Sequence, residues 1–263
     1  MTSFTALLAA MSAGDGQYQV APQEDWGQGR TLYGGITLAL AAHAAQLAFP
    51  GLPPLRSAQA AFTGPAAGML TIKPVKVAAG KSSAFVGVDI IGEGGAGGTA
   101  LRATFCYGVA RQSAFSHSDM AAPIAAPPAQ CPQFFRAGAP QFTGQFDGRL
   151  AGKDGMLSGS DNPDLLTWIR HRDPDVPDGD PGLIALADAL PPAAMLMFTE
   201  MSPVSTATWS MEFLTERYAN RGWHLLRTQA EHVGDGYSSQ YMNVWDEAGR
   251  PLMVGRQLVT IYR

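Results

Sequence analysis

Asp188 is the residue whose type and setting most need a chemical explanation. It follows Gly182-Leu183-Ile184-Ala185-Leu186-Ala187 and precedes Ala189-Leu190, inside an apolar, helix-like run. Desolvating a carboxylate there costs several kcal/mol unless hydrogen bonds compensate. Hydrogen bonds from neighbouring polar groups would offset the upward pKa shift that burial alone causes, leaving the carboxylate ionised and usable as a proton acceptor near neutral pH. The plainer readings are an acid facing a solvent crevice, or one capping the proline-terminated end of its helix. Two other polar residues share a peculiarity with it. The chain reads as two copies of one plan, and where the second copy has Asp188, Thr206 and Gln257 the first has Ala41, Leu55 and Ala103. Core positions need no polarity to fold, so polarity in one copy alone points to chemistry. Thr206 brings a hydroxyl and Gln257 an amide, although threonine is also at home in strands and a strand glutamine can simply face outward.

The repeat identifies the elements that must hold these residues. Gly80-Lys81-Ser82-Ser83-Ala84-Phe85 is echoed by Gly236-Tyr237-Ser238-Ser239-Gln240-Tyr241, a shared G-x-S-S-x-aromatic. Each opens an extended run that ends in a glycine-bearing turn, Gly92-Glu93-Gly94-Gly95 or Asp246-Glu247-Ala248-Gly249, before a last strand. That pattern predicts a hairpin in each half. Two β-rich runs precede each hairpin, residues 56–62 and 70–78 in one half, 206–213 and 223–233 in the other. Ahead of these lie alanine- and leucine-dominated stretches that favour helix. The first, residues 32–43, is apolar nearly all round and is expected to be buried. The second, residues 180–190, starts with Asp180 as N-cap and Pro181 as first helical residue and stops at Pro191-Pro192. A central helix followed by four antiparallel strands, twice over, is the plan of a tandem hot-dog fold: an α+β chain with two antiparallel sheets, each wrapped around a central helix.

The stretch from His117 to Pro140 is rich in Ala, Pro, Ser and Gln and lacks periodicity, as a surface crossover would. The expected organisation is an N-terminal domain 1–112, a linker 113–140 and a C-terminal domain 141–263 carrying the candidate residues. With 263 residues, 46% hydrophobic and 15% charged, the chain is long enough to bury a core without metal or disulfide staples. A net charge of −4 without a lysine or arginine block excludes a phosphate-backbone footprint, so no nucleic-acid partner is expected. Cys106 and Cys131 share no CxxC spacing, which argues against zinc, redox and disulfide-scaffold readings and fits a reducing cytoplasm. The N-terminus has no basic region before its short apolar run, and the longest apolar stretches are interrupted, so neither a cleaved signal nor a membrane span is expected. Exposed sheet edges would favour pairing of copies into a homo-oligomer.

A family resemblance rests on Tyr33-Gly34-Gly35 before the alanine-rich helix, Ala187-Asp188-Ala189-Leu190, Thr206 leading into Ser210-Met211-Glu212-Phe213, the run Gly236 to Ser239, and Arg256-Gln257 near the C-terminus. In this order, over nearly the whole chain, they resemble the acyl-CoA thioesterase II-like family of double hot-dog proteins. The resemblance implies hydrolysis of an acyl-CoA thioester to a free acid and CoA. It also implies that Asp188, Thr206 and Gln257 together orient the attacking water. Two motifs depart from the family's pattern: Ile36 stands where the first commonly has Gln, and Thr208-Trp209 where Asp-His is common. Thioester hydrolysis needs an acceptor for the water's proton, which Asp188 can be, and donors for the oxyanion. Helix-opening amides supply such donors and glycine permits close approach, so Gly34 and Gly35, with the Gly35 amide as oxyanion donor, are the expected substrate-binding pair. This chemistry calls for no metal and no organic cofactor.

Other polar groups carry weaker expectations. Ser113, Ser116 and Ser118 beside His117 lie in the linker without a nucleophile elbow. His43 reads as a core histidine, and Asp173, Asp175, Asp178 and Asp180 read as a solvated turn lacking calcium-loop spacing. The glycine run Gly92 to Gly98 reads as a hairpin tip, not a phosphate loop. Phe134, Phe135 and Phe142 could line an acyl channel or anchor the linker. The departures at Ile36, Thr208 and Trp209 favour, as an alternative, a non-catalytic acyl-CoA or lipid-binding module. A hot-dog hydratase would want a histidine paired with Asp188, and His171, His224 and His232 are the histidines left for that role.

Overall fold

The computed structural model describes residues 1–93 and 98–262; residues 94–97 of the expected hairpin tip Gly92 to Gly98 lie outside them. The first half contains α1 (Phe4–Ala9), β1 (Ser12–Gly14), β2 (Gln17–Val20), β3 (Gly27–Gln28), β4 (Thr31–Leu32), α2 (Gly34–Ala48), β5 (Leu55–Phe62), β6 (Leu70–Ala79), β7 (Ser83–Ile91) and β8 (Thr99–Gly108). The second contains β9 (Phe146–Leu150), β10 (Asp164–His171), α3 (Asp180–Ala187), β11 (Val204–Phe213), β12 (His224–Gly234), β13 (Tyr237–Asp246) and β14 (Pro251–Ile261). Helix followed by four strands therefore occurs twice, as the repeat predicts, and the fold is a tandem hot-dog.

The two antiparallel half-sheets meet edge to edge. Ala60 of β5 lies opposite Trp209 of β11 and Ala58 opposite Met211, so every strand except the β3-β4 pair runs in one sheet, ordered β1-β2-β6-β7-β8-β5-β11-β14-β13-β12-β10-β9 among the described residues. The outermost pairs were not apparent from the repeat. β1 and β2 turn at Asp15-Gly16, both at positive φ, the conformation of a tight type I′ hairpin; Asp235-Gly236 does the same between β12 and β13.

α2 and α3 lie antiparallel inside the curled sheet. Tyr33, just before α2, donates its hydroxyl to the Ala185 carbonyl near the end of α3 at 3.0 Å, while Gln46 near the end of α2 reaches Asp180 at the start of α3 at 3.0 Å. α2 is buried from Gly35 to Ala42, and its alanines let the helices approach closely. α3 ends earlier than predicted. It stops at Ala187, and Asp188 occupies the C-cap at φ −93°, ψ 8°. The helix cannot continue because the prolines offer no N–H and Pro191 disfavours helical geometry at Leu190. Among the described residues no helix is long and apolar enough to cross a membrane.

The segment around Met120 to Cys131, which the sequence reading assigns to a linker, is strapped to the outer face of the second half-sheet. Trp168 and Trp245 donate their indole N–H groups to the carbonyls of Ala126 at 2.9 Å and Met120 at 2.8 Å. Cys131 packs with these two rings and Leu225 in a small buried cluster of their own.

Candidate active site

Asp188 sits where the end of α3 meets the start of α2. Gln257 on β14 donates its amide N–H to Asp188 Oδ1 at 2.7 Å, and the Gly35 backbone N–H donates to the same carboxylate. Burial pushes the Asp188 pKa up from 3.8 to about 7, and these two hydrogen bonds oppose the rise. The residue keeps a little accessible surface although its carboxylate is enclosed. The partial positive end of α2 favours its charged form, whereas the end of its own helix α3 opposes it.

The paired glycines explain how the helix start reaches the acid. A Cβ on Gly34 would lie 2.8 Å from Asp188 Oδ2 and 3.2 Å from the Phe62 ring. One on Gly35 would lie 2.6 Å from the Tyr33 ring and 2.8 Å from Asp188 Cβ. Only glycine fits at either place without moving α2 off the carboxylate. The Gly35 amide, expected to await an oxyanion, is here bonded to Asp188 itself.

Gln257 faces inward, opposite Trp209 of β11 and Gln240 of β13. Gln240 was missed by the sequence reading and is almost completely buried. Its amide N–H donates to Gln257 Oε1 at 2.7 Å, and its own Oε1 accepts the Ala193 backbone N–H at 2.9 Å. A signal for it existed. In the G-x-S-S echo Gln240 falls on Ala84, the same one-sided polarity that singled out Asp188 and Gln257. The counterparts Ala41, Ala84 and Ala103 are all buried, so the twin location in the first half is apolar.

Thr206 reaches this face through a bulge. Thr206 pairs with Val259 and Thr208 with Leu258, leaving Ala207 as the extra residue, so Thr206 and Trp209 face the same side although three apart. Thr206 is thus two residues along β14 from Gln257, and its hydroxyl bonds neither Gln257 nor Asp188. The structure therefore brings Asp188, Gln257, Gly34 and Gly35 into direct contact and sets Thr206 beside them on the same sheet face.

The remaining candidates resolve as follows. Tyr33 is buried and stacked on Phe142, ring centroids 4.3 Å apart, and its pKa is raised by burial and by the Asp188 charge. Phe142 thus belongs to the aromatic interior, and Phe134 is buried in the same core. His171 and His224 bond the backbone carbonyls of Gly182 and Ala219, at 2.9 and 3.1 Å, and His232 is exposed on β12. No histidine among the described residues pairs with Asp188. The solvated-turn reading of the aspartates needs correction. Asp173 accepts the Thr5 backbone N–H at 2.8 Å, and Asp180 accepts from Gln46 and Tyr218 in a setting buried enough to raise its pKa. These acids tie α1 and α2 to the second half. Ser113, Ser116, His117 and Ser118 are exposed.

Family models place these features in context. Residues 22–108 match the acyl-CoA thioesterase N-terminal domain and residues 122–261 the acyl-CoA thioesterase C-terminal domain. The chain belongs to the acyl-CoA thioesterase family. Solved structures agree on the fold of this thioesterase-family chain. A hot-dog protein of unknown function from Alicyclobacillus acidocaldarius superposes with a TM-score of 0.89 at 23% identity, covering 100% of this chain and 99% of that one. A TesB protein of Mycobacterium avium subspecies paratuberculosis gives 0.80 at 15% identity, over 99% and 100%. The acyl-CoA thioesterase II TesB2 of Mycobacterium marinum gives 0.76 at 18%, over 97% and 96%. No curated protein matches the chain. Within the family match, Asp188, Thr206, Gln240 and Gln257 fall in the C-terminal domain, while Gly34 and Gly35 come from the N-terminal one.

Proposed function

We propose that this chain hydrolyses an acyl-CoA thioester to a free acid and CoA, with Asp188 as the base that activates water. The observation that carries the reading is a single enclosed carboxylate, clamped by Gln257 and the Gly35 amide, in a chain of this family. A pKa near 7 lets Asp188 exchange a proton at neutral pH. The water oxygen attacks the thioester carbonyl carbon while its proton passes to the Asp188 carboxylate. The tetrahedral intermediate then collapses, the C–S bond breaks, and the leaving thiolate takes the proton from Asp188, which returns to its ionised form.

In this scheme the Gly35 amide holds the base. Donors for the water or the developing oxyanion are the second N–H of the Gln257 amide and the unbonded Thr206 hydroxyl, which shares its sheet face. Both have hydrogen-bonding capacity to spare, and a positioned donor of this kind is worth about 10²–10³-fold in rate. Gly34 contributes an open approach, since any side chain there would occupy the space over the carboxylate.

The test is release of free thiol from acyl-CoA substrates of graded chain length by the wild-type protein and by Asp188→Asn. Turnover in the wild type and its loss in a folded variant are the expected pair. Saturable acyl-CoA binding with no thiol release at any length would replace this reading with the non-catalytic binding module.

A further inference from the structure

We propose that Gln240 is a positioning residue that sets the direction of a hydrogen-bond chain ending on Asp188. The inference rests on the reading of Asp188 as the base. A glutamine amide has one accepting and one donating end, which a flip exchanges. The chain here has three links: Ala193 N–H to Gln240 Oε1 at 2.9 Å, Gln240 N–H to Gln257 Oε1 at 2.7 Å, and Gln257 N–H to Asp188 Oδ1 at 2.7 Å. Both amides could be turned over if nothing fixed them. A backbone N–H cannot turn, and Ala193 is the first residue after Pro191-Pro192 that has one. Its donor forces Gln240 to present oxygen toward it, hence N–H toward Gln257, hence Gln257 oxygen toward Gln240 and N–H toward the acid. One peptide group at the start of the short helical turn Ala193–Leu196 therefore dictates that Asp188 always meets a donor.

The burial of Gln240 makes the lock effective, since no water competes for either end of its amide. Around Asp188 itself, Tyr33 just before α2 is the neighbouring titratable group, while β14 presents Gln257 and β5 the Phe62 ring. Tyr33 stays neutral near pH 7 because its pKa is raised, so the amide chain is the adjustable influence on the acid.

Two variants test this. Gln240→Met keeps length and volume but frees Gln257 to turn. It should lower kcat by about 10²-fold with KM unchanged, and move the acid limb of the rate profile up by about one pH unit. In Gln240→Glu the protonated carboxyl can still accept from Ala193 and donate to Gln257, whereas the ionised carboxylate cannot donate. Its activity should therefore be confined to a bell between the ionisation of Asp188 and that of the introduced carboxyl, and fall on the alkaline side, where wild-type activity stays level. Titration of the Asp188 carboxyl by carbon NMR, assigned by its loss in Asp188→Asn, reads the same shift without turnover. If wild type releases no thiol, the thioesterase reading fails, yet the titration still decides the role of Gln240. Wild-type rate profiles and an unmoved Asp188 titration in both variants would overturn the proposal. Gln240→Met that fails to fold leaves Gln240→Glu and its alkaline fall as the deciding result.

Discussion

Replacing Asp188 by asparagine should stabilise the protein while abolishing its activity. Raising a carboxyl pKa from 3.8 to about 7 means that the folded state holds a proton the unfolded chain has already released. At about 1.4 kcal/mol per unit, keeping the group ionised in the fold costs up to about 4 kcal/mol above pH 7. The sign follows from proton counts. Between pH 3.8 and about 7 the folded protein binds more protons at this site, so stability falls as pH rises and levels off above. Asparagine removes that cost, but its NH2 must face either the Gly35 amide or the Gln257 amide, both donors, at roughly 1–3 kcal/mol. The net gain is about 2 kcal/mol above pH 7, a Tm rise of roughly 4–8 °C for a domain of this size.

His171 works in the opposite sense. Burial lowers its pKa from 6.5 to about 4, so in that window the unfolded chain binds the extra proton and stability rises with pH. The two slopes oppose each other in wild type between about pH 4 and 6.5. The difference between wild type and Asp188→Asn cancels the histidine contribution. Chemical denaturation of both proteins across a pH series should show the variant less stable than wild type by roughly 1–3 kcal/mol at the acid end, with the difference changing sign as pH rises and reaching its full positive value above neutrality. A variant no more stable than wild type above pH 7, or a gap independent of pH, would refute the buried-base argument.

Three further outcomes follow from the same geometry. Gly35→Ala would drive a methyl into the buried Tyr33 ring and Asp188 Cβ, so unfolding measurements should show a loss of about 1–3 kcal/mol together with loss of thiol release. Thr206→Val removes a hydroxyl that bonds nothing in the fold, so stability should change by less than about 1 kcal/mol while kcat falls by about 10-fold or more; an unchanged kcat would remove Thr206 from the scheme. Trp168→Phe deletes the indole bond to Ala126, and limited proteolysis should then cut within residues 113–140 faster than in wild type.

Much of this architecture was legible because local chemistry repeats. The helix-and-four-strand order and the buried α2 follow from alanine content, strand patterning and matched turns, whereas the sequence leaves open whether Gln257 faces inward or outward. Other features depend on long-range pairing that no local pattern encodes. The β5 and β11 join places Ala60 against Trp209, two residues far apart in sequence with nothing in their flanks to announce each other. The end of α3 was overestimated because the proline effect reaches back beyond the prolines themselves, so Asp188 proved a capping residue as well as an enclosed acid. Gln240 escapes notice because its segment is matched on the shared glycine, serines and aromatic of the repeat and not position by position with Ala84. The Ala207 bulge is likewise silent in the sequence, yet without it Thr206 would face the opposite side of the sheet from Gln257.

The join between β5 and β11 also bears on how such a site can change over time. Two identical subunits assembled around the same seam would receive every substitution twice, once at each of two symmetry-related sites. Here both halves are encoded in tandem and welded into a single sheet, so each replacement falls on one side only. The alanines at positions 41, 84 and 103 fit that freedom: one location is apolar filler while its twin holds the acid and its amides. Fusion makes asymmetry heritable, and a lone reaction centre can be refined without its mirror image having to tolerate the same edits.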